Sequence, residues 1–166
     1  MIMQDRVNSF LKKYKSIRKR TLKLIEVIER QHLDFTYKKG KFTIADQIRH
    51  IAAIERNLYA ETIVGRKNIY TGCGKELADG YEGILAYVNQ AHSESLEIFG
   101  ELTDDELEDV CYTPTGYAIE KGKWLELLAE HEIHHRAQIY LYLNLLDVKT
   151  PPMYGLTAEQ VAVMHK

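Results

Sequence analysis

The longest helix-favouring segment of the sequence runs from about residue 120 to about residue 146 and contains His131 and His135, one turn apart. Residues at positions i and i+4 of a helix project from the same face, so the two imidazoles point in one direction. Trp124 and Leu128 lie close to that face as well. An apolar stripe that contains two imidazoles in register is typical of a helix that contributes a metal site to the interior of a bundle. We therefore expect facing helices that complete such a site.

Three further segments have the apolar spacing of amphipathic helices, at about residues 5–31, 44–64 and 79–99. A capping box formed by Thr43 and Asp46 predicts the start of the second helix. At Pro151 the chain leaves the last long helix, and Thr157 caps a short closing helix. No strand, internal repeat or linker is evident. We therefore predict an all-α fold, a four-helix bundle with a short additional C-terminal helix, as a single domain over residues 1–166.

Length and composition exclude several classes of function. A single domain of 166 residues buries roughly two-thirds of the surface of its unfolded chain. The net charge is -2, so no overall field draws the protein toward nucleic acid or an anionic membrane. The sequence has neither the pattern of a signal peptide nor an apolar run that could span a bilayer. Cys73 and Cys111 stand alone, which is typical of reduced thiols. We expect a cytoplasmic protein with no membrane partner.

The polar face of the first helix is basic, and its cations are Lys12, Lys13, Lys15, Arg18, Lys19, Arg20 and Lys23. Such a face raises the alternative of a nucleic-acid surface. However, the aromatic side chains that would stack on bases belong to the apolar stripe of the helix, and the whole chain is slightly acidic. We therefore expect a solvated helix face and no nucleic-acid partner.

The second helix supplies a third histidine for a metal site. His50 lies at the edge of its apolar face, and together with His131 and His135 it forms a candidate set of three neutral ligands. Imidazole suits zinc, nickel, copper and iron(II), and three protein ligands leave positions open for water or substrate. His134 is one residue off the inward line, and His92 is at the margin of the third helix, so we expect neither to be a ligand. The alternative is a polar helix face with no ligand function.

Three segments of the sequence resemble the DinB family, in the order found in that family. They are residues 42–55 (FTIADQIRHIAAIE), 131–140 (HEIHHRAQIY) and 151–155 (PPMYG). The second of them is similar to the family pattern HxxxHRGQ. The resemblance implies a bundle of the DinB/YfiT type, often dimeric, that binds a divalent metal through His50, His131 and His135. Ala137 stands where the family commonly has glycine, and we expect this change to affect helix packing and leave the metal in place.

The resemblance also implies a choice of functions, because relatives include thiol-dependent transferases and isomerases. Our first hypothesis is an enzyme in which the metal activates a low-molecular-weight thiol for transfer to an electrophilic small molecule. Gln138 and Tyr142 are then expected to line the pocket. Glu55 or Asp46 is expected to orient His50 or to relay a proton.

Two alternatives stay open at this point. A hydrolase would use the same ion to generate hydroxide, and a non-catalytic, stress-induced metal-binding protein would have all coordination positions filled. Zinc or nickel is the expected metal, with iron as a further choice. We expect a homodimer, although no patch in the sequence identifies its interface.

Overall fold

The computed structural model describes residues 5–164, which form six α-helices and one β-hairpin. The helices are α1 (Asp5–Ile25), α2 (Ile44–Ile54), α3 (Ala60–Ile63), α4 (Gly80–Gly100), α5 (Lys121–Leu145) and α6 (Ala158–Met164). A π-helical turn, Glu55–Tyr59, joins α2 to α3, so these pieces form one long helical unit. Short 3₁₀ turns occupy Arg30–His32 and Asp105–Glu108. The ends of the predicted domain, residues 1–4 and 165–166, lie outside the described residues.

The four long helical units pack as a bundle. Both α1 and α2 contact α4 and α5, so the four units enclose a common interior. This arrangement is the predicted four-helix bundle, because each unit has one apolar face that must be covered by its neighbours. Among the described residues, no helix is both long enough and apolar enough to cross a bilayer.

A local sequence signal explains where α2 begins, whereas α1 ends earlier than predicted. The predicted capping box is confirmed: the Asp46 amide donates to Thr43 Oγ1 (3.0 Å) and the Thr43 amide donates to Asp46 Oδ2 (2.9 Å). The first helix ends at Ile25, six residues earlier than predicted. The residues that follow it turn back and bury Ile28 and Leu33 in the core.

The interior contains two apolar clusters. In one of them Trp124 stacks on Tyr59, with ring centroids 4.1 Å apart, and its indole nitrogen donates to Thr62 Oγ1 at 2.9 Å. The other is built mainly from aliphatic side chains such as Ile48 and Ile139. Polar side chains of α2 and α5 are therefore surrounded by packed apolar groups, which holds their positions.

A small β-hairpin precedes α5, where the sequence predicted no strand. Strand β1 (Val110–Tyr112) pairs antiparallel with β2 (Ala118–Glu120), and Cys111 lies opposite Ile119. Each strand has only three residues, too few for an alternating pattern to be evident. In the turn between them, the Gly116 amide donates to the Thr113 carbonyl at 2.9 Å.

Arg18 is the exception on the basic face of α1. It was predicted to be solvated with its neighbours, but its side chain is only 2% exposed, whereas Lys15 and Lys19 are exposed. Its Nη2 atom contacts Glu55 Oε2 at 2.5 Å and Glu132 Oε2 at 2.9 Å. Two carboxylates from facing helices thus draw this guanidinium inward. We call Arg18, Glu55 and Glu132 the arginine cluster.

Candidate metal centre

Three histidines meet where α2 faces α5. His50 comes from α2, and His131 and His135 come from successive turns of α5. The ring centroids lie 4.5–4.9 Å apart, and one candidate ligand nitrogen from each ring lies within 4.8 Å of the others. We call these residues the histidine cluster. The structure thus brings together all three histidines that the sequence singled out.

Neighbouring side chains hold two of the rings by their Nδ1 atoms. His135 Nδ1 lies 2.5 Å from Gln47 Oε1 and 3.0 Å from Gln138 Oε1. Because amide oxygens only accept hydrogen bonds, Nδ1 of His135 bears the proton and Nε2 keeps a free lone pair. His50 Nδ1 lies 2.8 Å from the Tyr70 hydroxyl. Such contacts on the far nitrogen are typical of histidines that bind metal through Nε2.

The facing nitrogens of the cluster fit a divalent ion. His50 Nε2 and His131 Nε2 are 3.1 Å apart. Two nitrogens that bind one tetrahedral zinc ion at about 2.0–2.1 Å lie roughly 3.3 Å apart, close to this separation. This separation also allows one of the two rings to donate a hydrogen bond to the other, and a bound cation would replace the shared proton. His131 Nδ1 is buried with no hydrogen-bond partner among the described residues.

Burial keeps all three imidazoles neutral. Desolvation, with the nearby His135, lowers the pKa of His50 from 6.5 to about 4. Desolvation and the neighbouring histidines lower the pKa of His131 to about 3. The pKa of His135 is also lowered, chiefly by burial. Near neutral pH, each ring therefore has a lone pair that can bind a metal.

A cavity of about 690 Å³ opens beside His135. Gln47 and Gln138 line it next to the histidine ring. Its other walls are Tyr37, Gly40, Lys41, Phe42, Leu141, Tyr142 and Leu145. Gln138 and Tyr142 thus lie where pocket residues were expected, and their part in binding stays a prediction. The volume is within the usual range for sites that bind small molecules.

Glu55 and Asp46 are not part of the histidine cluster. The Glu55 carboxylate is fully buried and contacts Arg18 and, at 2.8 Å, His92 Nδ1. Asp46 caps α2 and pairs with Arg49 at 2.5 Å. Neither carboxylate has a hydrogen bond to His50 in the described residues, so the proposed orienting role has no contact to support it.

Tyr70 is a site residue that the sequence reasoning missed. It belongs to the loop of residues 65–79, which has no periodic pattern. Arg49 holds this loop against α2, with Nε donating to the Cys73 carbonyl (2.7 Å) and Nη1 to the Ala78 carbonyl (3.2 Å). Gln47 was detectable, because it precedes His50 by three positions and so shares its helix face.

Comparisons with known proteins agree with this architecture. A sequence profile of the DinB superfamily matches residues 13–139. No protein in a search of curated sequences matches the chain. Among solved structures, a DinB-like protein from Bacillus cereus has a TM-score of 0.73 at 18% identity, covering 93% of this chain and 100% of that one.

Two further structures are similar in fold. YfiT from Bacillus subtilis, described as a probable metal-dependent hydrolase with an unusual four-helix bundle topology, has a TM-score of 0.68 at 20% identity, covering 90% of this chain and 92% of its own. A mutant of a mycothiol-dependent maleylpyruvate isomerase has a TM-score of 0.67 at 9% identity, covering 80% of this chain and 60% of its own. At these identities the likeness shows the fold, and the predicted four-helix bundle is confirmed.

Proposed function

This chain belongs to the DinB superfamily, and we propose that it is a metal-dependent enzyme that transfers a low-molecular-weight thiol to an electrophilic small molecule. The observation that carries the proposal is the convergence of three neutral imidazoles beside a cavity of small-molecule size. A purely structural metal site is instead closed by a fourth protein ligand. No fourth histidine, cysteine or carboxylate joins the cluster among the described residues.

The histidine cluster would hold the metal. His50, His131 and His135 each offer one nitrogen, and zinc or nickel is the proposed ion, with iron as a further choice. When bound, a divalent ion with three neutral ligands lowers the pKa of a thiol or of water and favours anionic ligands. Tyr70 and Gln47 contact the far nitrogens of two rings and fix their orientation.

The cavity favours a thiol over water as the nucleophile. None of the described residues that line it is a carboxylate, so it lacks the acidic side chain that commonly serves as a general base. A free thiol has a pKa of about 8.5 and loses its proton far more easily than water. The similar fold of an isomerase described as mycothiol-dependent agrees with a thiol cofactor.

Hydrolysis is the second candidate. The observation that favours it is the likeness to YfiT, which is described as a probable metal-dependent hydrolase. The same three histidines would serve this reaction, and Lys41 or Tyr142 in the cavity would be the available proton donors. The substrate is a small molecule in both cases, and we propose that the active protein is a homodimer.

The test begins with metal content. Protein purified without a nickel column is analysed for metals before and after reconstitution with zinc, nickel or iron(II). We expect about one equivalent in the wild type, none in His131→Ala and about one in the control His134→Ala, because His134 is exposed on the same helix. An absence of metal from every preparation would show that the histidines are only polar packing.

Activity then separates the two reactions. The zinc-loaded protein is incubated with cysteine or glutathione and chlorodinitrobenzene, where a sulfur–carbon bond forms as the carbon–chlorine bond breaks and chloride and a proton are released. A parallel assay follows hydrolysis of nitrophenyl acetate. We expect metal-dependent thiol transfer that His131→Ala abolishes. Metal-dependent ester hydrolysis without thiol transfer would support the second candidate, and neither activity would support a non-catalytic metal-binding protein.

A further inference from the structure

The cavity beside His135 combines apolar walls with the side-chain amides of Gln47 and Gln138 and, among the described lining residues, a single cation. We infer that the small molecule it takes has an apolar body that contains an aromatic ring and bears a carboxylate. This inference rests on the proposed function, because it assigns the substrate of the same site. It adds the chemical class, which the metal ligands alone leave open.

The apolar walls are open to solvent. The exposed fractions are 58% for Tyr37, 39% for Phe42, 56% for Leu141 and 57% for Leu145, and all four side chains line this one cavity. Leu141 and Leu145 are one turn apart on α5, so they form a continuous strip. Apolar side chains that gather around a cavity and stay uncovered are typical of a binding site for an apolar ligand.

Aromatic rings lie next to the histidine cluster. The Phe42 ring centroid is 5.2 Å from that of His50 and 6.5 Å from that of His135. Across the cavity lining, Tyr37 and Tyr142 have ring centroids 5.9 Å apart. A planar ring can stack or make edge contacts with such surfaces, and these pairs add to the gain from burial. The cavity therefore favours an aromatic ring close to the metal.

Lys41 is the only residue with a full charge near neutral pH among the described lining residues. Its backbone is held in a turn, with its amide donating to the Lys38 carbonyl at 3.1 Å and its carbonyl accepting from Thr36 Oγ1 at 3.3 Å. Lys41 has no ion pair among the described residues, and Lys38 and Lys39 add positive charge along the same loop. A carboxylate on the ligand would supply the missing anion.

Volume decides between a small molecule and a protein segment. About 690 Å³ is within the range for small ligands, whereas a stable protein partner needs a much larger, continuous interface. The apolar residues also gather next to the histidines, where a reacting group must lie, rather than along an extended helix face. We therefore assign the cavity to a single small molecule.

The test compares three probes: phenylbutyrate, its neutral analogue phenylbutanol, and butyrate. Binding is measured by calorimetry and ligand-observed NMR on both the zinc-loaded and the metal-free protein. The metal-free form excludes direct binding of the carboxylate to zinc, and it keeps the test independent of whether the proposed function holds. We expect phenylbutyrate to bind more tightly than either analogue in both forms.

Matched variants locate the binding site. Leu141→Asp places a charge against the apolar body and should weaken phenylbutyrate binding roughly tenfold or more. Leu127→Asp is the control, because Leu127 is 40% exposed on the same helix and does not line the cavity. Lys41→Glu should reverse the preference, so that phenylbutanol binds more tightly than phenylbutyrate. Equal affinity for the acid and the alcohol, or an unchanged preference in Lys41→Glu, would overturn the inference.

Discussion

Two polar clusters lie among the same helices of the bundle and differ in the source of their positive charge. In the arginine cluster, Arg18 from α1 supplies a guanidinium to Glu55 and Glu132, and all three side chains are at least 98% buried. In the histidine cluster, neutral imidazoles converge, and none of the residues from 5 to 164 places a cation among them. His131 and Glu132 are sequence neighbours, yet they belong to different clusters because they point to different faces of α5.

The comparison suggests which cluster is structural and which is functional. The arginine cluster finds its charged partners within the chain, and Thr21 Oγ1 also donates to Glu132 at 2.6 Å while His92 contacts Glu55. Arg18 Nε and Nη1 are buried with no hydrogen-bond partner among the described residues. In the histidine cluster His50 Nε2 and His131 Nε2 contact each other at 3.1 Å, and the three rings together still present lone pairs that a metal ion can use. A buried set of groups that supplies its own counter-charge is strongly destabilised when one partner is removed, and a set that lacks a cation is prepared to receive one.

The largest effect on the free energy of unfolding is expected from replacing Arg18, the cation of the arginine cluster. Arg18→Met leaves two buried carboxylates without a counter-charge, and the free energy of unfolding should fall by about 3–5 kcal/mol. Denaturation by urea measures the change, with Lys15→Met on the exposed side of α1 as the control. Replacing all three members with apolar residues should recover much of the loss. A fall of less than 1 kcal/mol in Arg18→Met would show that the cluster is not structural.

The second expected effect is stabilisation of the folded protein by zinc bound to the histidine cluster. Zinc at a hundred times its dissociation constant should raise the free energy of unfolding of the wild type by about 2.7 kcal/mol, because it binds the folded state. His131→Ala should lose this gain, whereas Arg18→Met should keep it if the variant folds. Urea titrations with zinc or with a chelator provide the measurement. An equal gain in His131→Ala would place the metal elsewhere.

A smaller effect, on metal affinity, is expected from removing the Tyr70 hydroxyl that contacts His50. Tyr70→Phe keeps the ring and removes the 2.8 Å contact with His50 Nδ1. Metal affinity should fall about 10- to 100-fold, with one ligand less well oriented. Competition with a chromophoric chelator gives the affinity, and the cobalt(II) spectrum reports the geometry of the site. Tyr140→Phe, on another side of α5, serves as the control and should change neither quantity.

The smallest effect is the pH dependence of the metal-free protein. The pKa values of His50 and His131 fall from 6.5 to about 4 and about 3 on folding. The unfolded chain therefore binds protons first, so stability falls as the pH decreases from about 6.5 toward 4. His50→Gln with His131→Gln should flatten this part of the curve. Urea midpoints at several pH values test it, and a stability that rises on acidification in this window would contradict the assigned shifts.

Sequence spacing was enough to identify the histidine cluster because its signal is local. His131 and His135 are one turn apart, and the apolar period of α2 placed His50 at an inward edge. Arg18 was misplaced because its position depends on carboxylates 37 and 114 residues away, which no periodic pattern reveals. Tyr70 was missed for a related reason. A loop has no hydrophobic periodicity from which the direction of its side chains could be predicted.

The loop that carries Tyr70 also contains a cysteine whose rate of chemical labelling can report the motion of the loop. Cys73 is only 9% exposed, its thiol contacts Tyr70, and burial raises the pKa of that thiol. Alkylation of Cys73 should therefore be slow, and its rate should rise whenever the loop moves away from α2. Because the Tyr70 hydroxyl contacts His50, metal binding to the histidine cluster should slow the labelling of Cys73. Cys111 is a second free and buried cysteine, so the label must be assigned to Cys73 before its rate measures the coupling between loop motion and metal binding.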